Sequence, residues 1–284
     1  MTTRSAALNE TGSIFASRED AEQWQRGKAH RAEVTGLANE MMLDLADLRT
    51  GDRVLDVAAG TGDQALMAAQ RVGTTGYVLA MDVSANMLDL AAKAARKAGL
   101  TNIETRVMDA ENIDLDADSF DAVICRMGLM LFSDPAKALV GMRRAVKGSR
   151  NVVVLVLSTE EKNPFLGIPL TIVRRLVNIT LSTPGAPRAF ALGRSGVLED
   201  AYRRAGFAEV ALHTVNIRRR FRSLDDTLRA LKDFSPFFLR DLLAKLSDRE
   251  RELAWSEIGR QLGQFAKPDA FEIPGEALIG VGTK

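Results

Sequence analysis

The sequence predicts an α/β fold, and three observations carry that expectation. From Gly51 onward, short β-branched runs alternate with Ala/Leu-rich stretches, the rhythm of a parallel sheet covered by helices on both faces. The first of these runs ends in a glycine turn that leads at once into a helical pattern, Val54-Leu55-Asp56-Val57-Ala58-Ala59-Gly60-Thr61-Gly62-Asp63. The chain has 284 residues, 46% hydrophobic and 26% charged, which is enough to bury a large core and excludes a disordered, collagen-like or fibrous chain. The expected architecture is a doubly wound, Rossmann-like seven-stranded sheet with a helical cap.

The elements follow in order. Met1 to Asp20 is polar and mixed in charge, without the uninterrupted apolar stretch of a secretory signal, so a cytoplasmic protein is expected. Five strands are expected at Arg53–Val57, Tyr77–Met81, Ile103–Val107, Phe120–Cys125 and Val152–Leu157. Between them, Gln64–Val72 and Ser84–Ala98 read as helices, the second opened by Ser84 as N-cap and closed before Gly99. Asp134-Pro135 opens a further helix that runs to about Val146. The rhythm then changes: Asn163 to Pro187 carries four prolines around an apolar helix-like stretch, an insertion that belongs to a cap. A helix at Gly196–Ala205 and a strand at Glu209–Phe221 come next. In the helical block that follows, Ser223 is a plausible N-cap, Ser247 through Glu250 forms a capping-box pattern, and Trp255, Ile258, Leu262 and Phe265 share one face of the last helix. Ala277–Gly282, apolar and punctuated by glycine, is the expected final strand.

Lys plus Arg number 38 and Asp plus Glu 37, a formal charge of +1 that supplies no overall field for nucleic acid or an anionic membrane. The single cysteine, Cys125, excludes an intrachain disulfide and any multi-cysteine metal site, and with two histidines no metal is expected. The apolar segment Phe165 to Leu181 is interrupted by Arg174 and Arg175 and contains Pro169, so no membrane span is expected.

Function is most legible at the glycine turn. Glycines are needed where the backbone must turn sharply and let a ligand approach without a Cβ in the way. Asp82 lies 20 residues beyond Gly62, at the end of the next strand, where a carboxylate can accept hydrogen bonds from both hydroxyls of a ribose. Asp109 ends the third strand, where the exocyclic amine of adenine can find an acceptor. An adenosine-containing ligand is therefore expected. Gly60-Thr61-Gly62-Asp63-Gln64-Ala65 formally satisfies the dinucleotide pattern, so an NAD(P)-dependent oxidoreductase stays in view. Asp56, on the strand just before the turn, would repel a pyrophosphate and attract an ammonium group, which favours S-adenosylmethionine.

The stretches "GDRVLDVAAGTGD", "VLAMDVSANMLDLA", "NIETRVMDAENIDLDADSFDAVICRMGLM" and "DPAKALVGMRRAVK" resemble a class I S-adenosylmethionine-dependent methyltransferase. Within that superfamily the chain is most similar to the ubiquinone/menaquinone C-methyltransferase group. The resemblance covers about Leu48 to Ser158, and the chain is expected to divide into an N-terminal helical lid segment at 1–47, an S-adenosylmethionine-binding core at 48–160, and cap insertions with the last strands at 161–284. The resemblance implies that Asp56, Ala58, Gly60, Thr61 and Gly62 surround the methionine end of the ligand. It implies further that Asp82 holds the ribose, Val83 and Met87 lie beside the adenine, Asp109 and Ala110 contact the base, and Arg126 touches the ligand. Two stretches depart from the usual pattern: Ala58 stands at the first position of the glycine triplet, and Lys147 to Asn151 replaces a Lys-Pro-Gly-Gly turn.

Methyl transfer from a sulfonium needs alignment and exclusion of water more than a dedicated nucleophile, and a general base only where the acceptor must lose a proton. No catalytic residue is assigned from the sequence; His30, in the segment that similar enzymes fold over the cofactor, is the one candidate base. His213 and Cys125 read as structural, and Asp114, Asp116 and Asp118 as a solvated loop. Arg218, Arg219, Arg220 and Arg222 form a basic cluster that could meet a phosphate or carboxylate but reads more simply as a solvated strand edge. Trp24, Met127, Phe165 and Phe234 are the candidate substrate contacts. The expected partner is a small methyl acceptor, apolar or aromatic and quinol-like by family analogy. No base-flipping motif follows the fourth strand, which argues against nucleic acid. The remaining alternative is a non-catalytic ligand-binding protein on the same fold.

Overall fold

The structure is a computed structural model that describes residues 17–180, 189–234, 236–268 and 270–284. Its centre is one seven-stranded sheet of order β3-β2-β1-β4-β5-β7-β6. The first five strands are β1 (Arg53–Val57), β2 (Tyr77–Asp82), β3 (Ile103–Val107), β4 (Ala122–Arg126) and β5 (Asn151–Leu157), all parallel. The sixth, β6 (Glu209–Phe221), forms the edge beyond β7 (Phe271–Thr283), which runs antiparallel between β5 and β6. The interior strands β1, β4 and β5 are buried and mostly apolar because both faces are covered, with Asp56 the polar exception inside β1.

Ten α-helices surround the sheet among the described residues. Two precede β1: α1 (Arg18–Arg26) and α2 (Lys28–Leu45). The crossovers are α3 (Asp63–Val72), α4 (Ala85–Lys97) and α5 (Pro135–Ala145). The expected caps are in place: Ser84 Oγ accepts the Met87 amide at 3.3 Å, and Asp134 Oδ1 accepts that of Lys137 at 2.9 Å with Pro135 at the first helical position. The cap region supplies α6 (Pro164–Leu176), α7 (Val197–Arg204), α8 (Leu224–Phe234), α9 (Phe237–Ala244) and α10 (Asp248–Leu262). Ser223 Oγ accepts the Asp226 amide at 3.1 Å, and Ser247 and Glu250 close a full capping box on α10.

Two boundaries differ from the sequence expectation by more than one residue. The fourth strand starts at Ala122, because Phe120 forms only an isolated bridge with Val146. The final strand starts at Phe271, six residues before Ala277. Its extra residues, 271–276, pair with β6 alone, so Pro274 withholds an amide where no second neighbour needs one. The two strands thus continue past β5 as a ribbon. Tyr202 on α7 is fully buried and donates to the carbonyls of Gly280 at 2.9 Å and Val152 at 3.2 Å, tying this helix to the sheet.

Cys125 is fully buried at the end of β4, and burial pushes its thiol up to about 12. The native protein is expected to leave a thiol reagent such as DTNB unreacted and to release one equivalent only when unfolded. Fast reaction in buffer would contradict this. Among the described residues no helix is long and apolar enough to cross a membrane.

Candidate active site

The carboxyl ends of the strands open into a cavity of about 330 Å³ whose walls come from α1, α2, the turns after β1, β2, β3 and β4, α6 and the β6 ribbon. Ligands of open α/β sheets bind at this end, where neighbouring crossovers diverge.

The turn after β1 is held in a left-handed course, with positive φ at Ala58, Gly60 and Gly62. Asp82 fastens it: one carboxylate oxygen accepts the Gly60 amide at 2.9 Å and the other the Ser84 amide at 2.9 Å. Burial raises the Asp82 pKa, while the amides of Ser84, Gly60 and Val83 pull it back. Gly62 combines φ +80 with crowding, since a Cβ would lie 2.8 Å from the Cβ of Ala91 on α4. Gly62→Ala is therefore expected to lower stability by about 2–4 kcal/mol, from left-handed strain plus overpacking. That corresponds to a fall of roughly 5–15 °C in the melting midpoint, and an unchanged midpoint would contradict it.

The turn after β4 touches the first. A Cβ on Gly128 would lie 2.6 Å from the Cβ of Ala58 and 3.0 Å from Cys125 Sγ, so the glycine lets the two turns meet. Its neighbour Met127 has φ +58 and faces the cavity, as does Arg126. At the opposite wall Asp109 caps a single 3-10 turn, Ala110–Asn112, accepting the Glu111 amide at 2.9 Å and Asn112 Nδ2 at 2.7 Å. Val83, Met87, Met108 and Ala110 complete this end as a flat apolar slot edged by carboxylates.

Beside the glycine turn, three cations share one carboxylate. Asp63 lies 3.0 Å from Lys28 Nζ, 3.6 Å from Arg31 and 3.5 Å from Arg126. The group carries an excess of positive charge. Arg31 also stacks on Trp24, its guanidinium carbon 4.0 Å from the ring centre, and burial lowers its pKa to about 10 despite Asp63. The third region is apolar. Phe165 and Phe221 stack with centroids 5.6 Å apart, and His30 packs on Phe221 at 5.4 Å. Leu166 and Phe238 add to the wall. Burial, with Arg219 assisting, pushes the His30 pKa down, so the imidazole is neutral at pH 7. Arg219 reaches the same wall, its guanidinium 4.7 Å above the ring of Phe165.

Of the residues singled out in the sequence, Ala58, Gly60, Asp82, Val83, Met87, Asp109, Ala110 and Arg126 line the cavity. So do Trp24, His30, Met127 and Phe165. Asp56, Thr61 and Gly62 do not reach its surface: Asp56 is buried behind the turn, and among the described residues no cation forms an ion pair with its carboxyl. The side chain of Phe234 lies outside the described part of the chain. The solvated strand edge expected of the basic cluster is corrected at one position: Arg218 and Arg220 are exposed, but Arg219 is buried. The signal was present, since successive residues of a strand face opposite sides, so one of three consecutive arginines had to point inward. Arg31 was missed because nothing next to it in sequence announces Asp63. Among the described residues no cluster of His, Cys, Asp and Glu is arranged to hold a metal.

Sheet order, glycine turn and acidic strand ends together make this a class I methyltransferase fold. Residues 34–169, a little under half of the chain, match the ubiE/COQ5 methyltransferase family. A ubiquinone/menaquinone biosynthesis C-methyltransferase UbiE from Methylococcus capsulatus is 36% identical over 123 residues, covering 43% of this chain and 50% of that protein. The chain thus spans about half the length of the curated relatives it matches. Phosphoethanolamine N-methyltransferase 2 of Haemonchus contortus, solved with phosphomonomethylethanolamine and S-adenosylhomocysteine, has a TM-score of 0.62 at 18% identity, covering 98% of this chain and 61% of that one. An S-adenosylmethionine-dependent methyltransferase from Aquifex aeolicus gives 0.53 at 22% identity, covering 71% of this chain and 93% of that one.

Proposed function

We propose that this chain is an S-adenosylmethionine-dependent methyltransferase that acts on a small apolar or aromatic acceptor in the cytoplasm. The observation that carries it is one cavity with three chemically distinct regions: carboxylates edging an apolar slot, a surplus of cations beside a glycine turn, and an aromatic chamber. The residues fit the ligand. Asp82 would take the ribose hydroxyls with its remaining lone pairs, Asp109 the base, and Arg31 with Arg126 the methionine carboxylate. Asp56, buried behind the turn, keeps its proton at neutral pH in the free chain, and an ammonium bound on that side would draw the proton off and pair with the carboxylate. When bound, the sulfonium supplies an already activated methyl group. The protein then holds the acceptor in line against Phe165 and Met127, while α1 and α2 act as a lid that keeps water out. His30, neutral at pH 7, is placed to accept a proton from an acceptor that must lose one.

The family match favours a quinol-like acceptor, and the near-zero net charge favours a small molecule over nucleic acid. No relative or solved structure reported above favours a nicotinamide cofactor. The test is calorimetry and melting with S-adenosylmethionine, S-adenosylhomocysteine and NAD in parallel. A ligand at about 100 times its dissociation constant adds roughly 2.7 kcal/mol of stability. Binding of both adenosyl-sulfur compounds without NAD supports the reading, and S-adenosylhomocysteine release with an acceptor panel completes it. Binding of NAD alone would overturn it.

A further inference from the structure

The apolar chamber holds a charge that no ion pair among the described residues balances. Arg219 lies on β6, only 9% exposed, and is at the cavity wall. Its Nη1 is buried without a hydrogen-bond partner, and among the described residues no carboxylate forms an ion pair with it. Burial alone lowers its pKa, to about 10, so it remains a cation at pH 7. The ring of Phe165 lies under the guanidinium, 4.7 Å from its carbon, so the cation is seated on the aromatic wall of the chamber. Removing a cation from water is costly unless something pairs with it. A fold that keeps one here, on a strand whose flanking arginines face solvent, has its counter-charge arrive with a ligand.

We infer that the methyl acceptor carries a carboxylate, which Arg219 pairs with while the acceptor's aromatic or apolar body lies against Phe165. This deepens the methyltransferase reading and rests on it. A single guanidinium offers a planar fork that matches a carboxylate in geometry and in charge. A phosphate, carrying close to two charges, would leave one unbalanced among Phe165, Leu166 and Phe238. The methionine carboxylate of the cosubstrate has its own cations, Arg31 and Arg126, beside the glycine turn. Arg219 stands on β6, four strands from β1 in the sheet order.

The test uses two probes of one shape, 2-naphthoate and 2-naphthylmethanol, titrated into the full chain with and without saturating S-adenosylhomocysteine, for the native protein and Arg219→Gln. The native protein is expected to prefer the acid over the alcohol by roughly 10- to 100-fold, as for a hydrogen bond to a charged group. Arg219→Gln should erase that preference and leave affinity for S-adenosylhomocysteine unchanged. The proposal is overturned if the native protein binds acid and alcohol equally or fails to bind the acid. It is also overturned if the preference survives in Arg219→Gln, or if the variant loses S-adenosylhomocysteine instead, which would give the arginine to the cosubstrate. A native protein that prefers the acid but never binds S-adenosylhomocysteine would sink the methyltransferase reading on its own. The acid-against-alcohol comparison on native protein does not depend on any variant folding.

Discussion

Replacing Asp82 by alanine is expected to weaken S-adenosylhomocysteine binding by about two to four orders of magnitude, read by calorimetry. Two effects combine. The carboxylate accepts the amides of Gly60 and Ser84, so its loss frees the glycine turn and leaves two buried donors unsatisfied. In the proposed complex it also accepts both ribose hydroxyls. Hydrogen bonds to a charged group contribute about 1.5–3 kcal/mol each, and two lost from the ligand give the stated range. Asp82→Asn keeps the shape and one acceptor, and is expected to fall between the two. An alanine variant that binds as tightly as the native protein would remove the ribose assignment, whatever happens to its stability.

The second large effect is a pH dependence centred on Asp56. Burial pushes this carboxyl up to about 8, with Arg126 and the Ala65 amide pulling the other way without offsetting it. An acid whose folded pKa lies above its unfolded value holds its proton more tightly when folded. Its unfavourable effect on stability is therefore nil below about pH 4, builds between pH 4 and 8 as the unfolded chain alone releases the proton, and is complete above 8. The full effect is on the order of 5 kcal/mol. Asp56→Asn removes the titration while keeping the volume. The variant and the native protein should melt alike near pH 4, and at pH 9 the variant should melt higher by roughly 10 °C or more. Melting curves that stay parallel from pH 5 to pH 9 would show that this carboxyl does not titrate there. A bound ligand that brings an ammonium behind the turn should narrow the gap, linking the same measurement to cosubstrate binding.

The cosubstrate half of the site was legible because it is local. A strand, a glycine turn and a helix lie within twenty residues, and each acid sits at the end of its own strand, so pattern and position coincide. The parallel strands were equally clear, since burial on both faces leaves an apolar run that ends where the backbone must turn. Phe271–Glu276 was hidden by Glu272, Pro274 and Gly275, which would disqualify an interior strand and are harmless in a ribbon with one neighbour. The aromatic chamber was hidden for a different reason. His30, Phe165, Arg219 and Phe238 come from four distant segments, and no local pattern brings them together. Arg219 alone carried a readable hint in its alternation with Arg218 and Arg220, and counting the cluster as one solvated edge concealed it.

The position of β7 in the sheet has a consequence for how the molecule comes into being. The strand β7, which follows β6 in the chain, is not an edge but an interior one, hydrogen-bonded along its length to β6 and over residues 277–283 to β5. Until it is made, β5 lacks a neighbour on one side and β6 has no sheet to join. Contacts between such distant segments are slow to close. The strands β1 to β5 and the glycine turn precede β6 and β7 in the chain, whereas the aromatic chamber, which takes Arg219 from β6, needs the β6–β7 pairing that ends at residue 283. A chain terminated before residue 271 would carry the glycine turn without the completed chamber beside it.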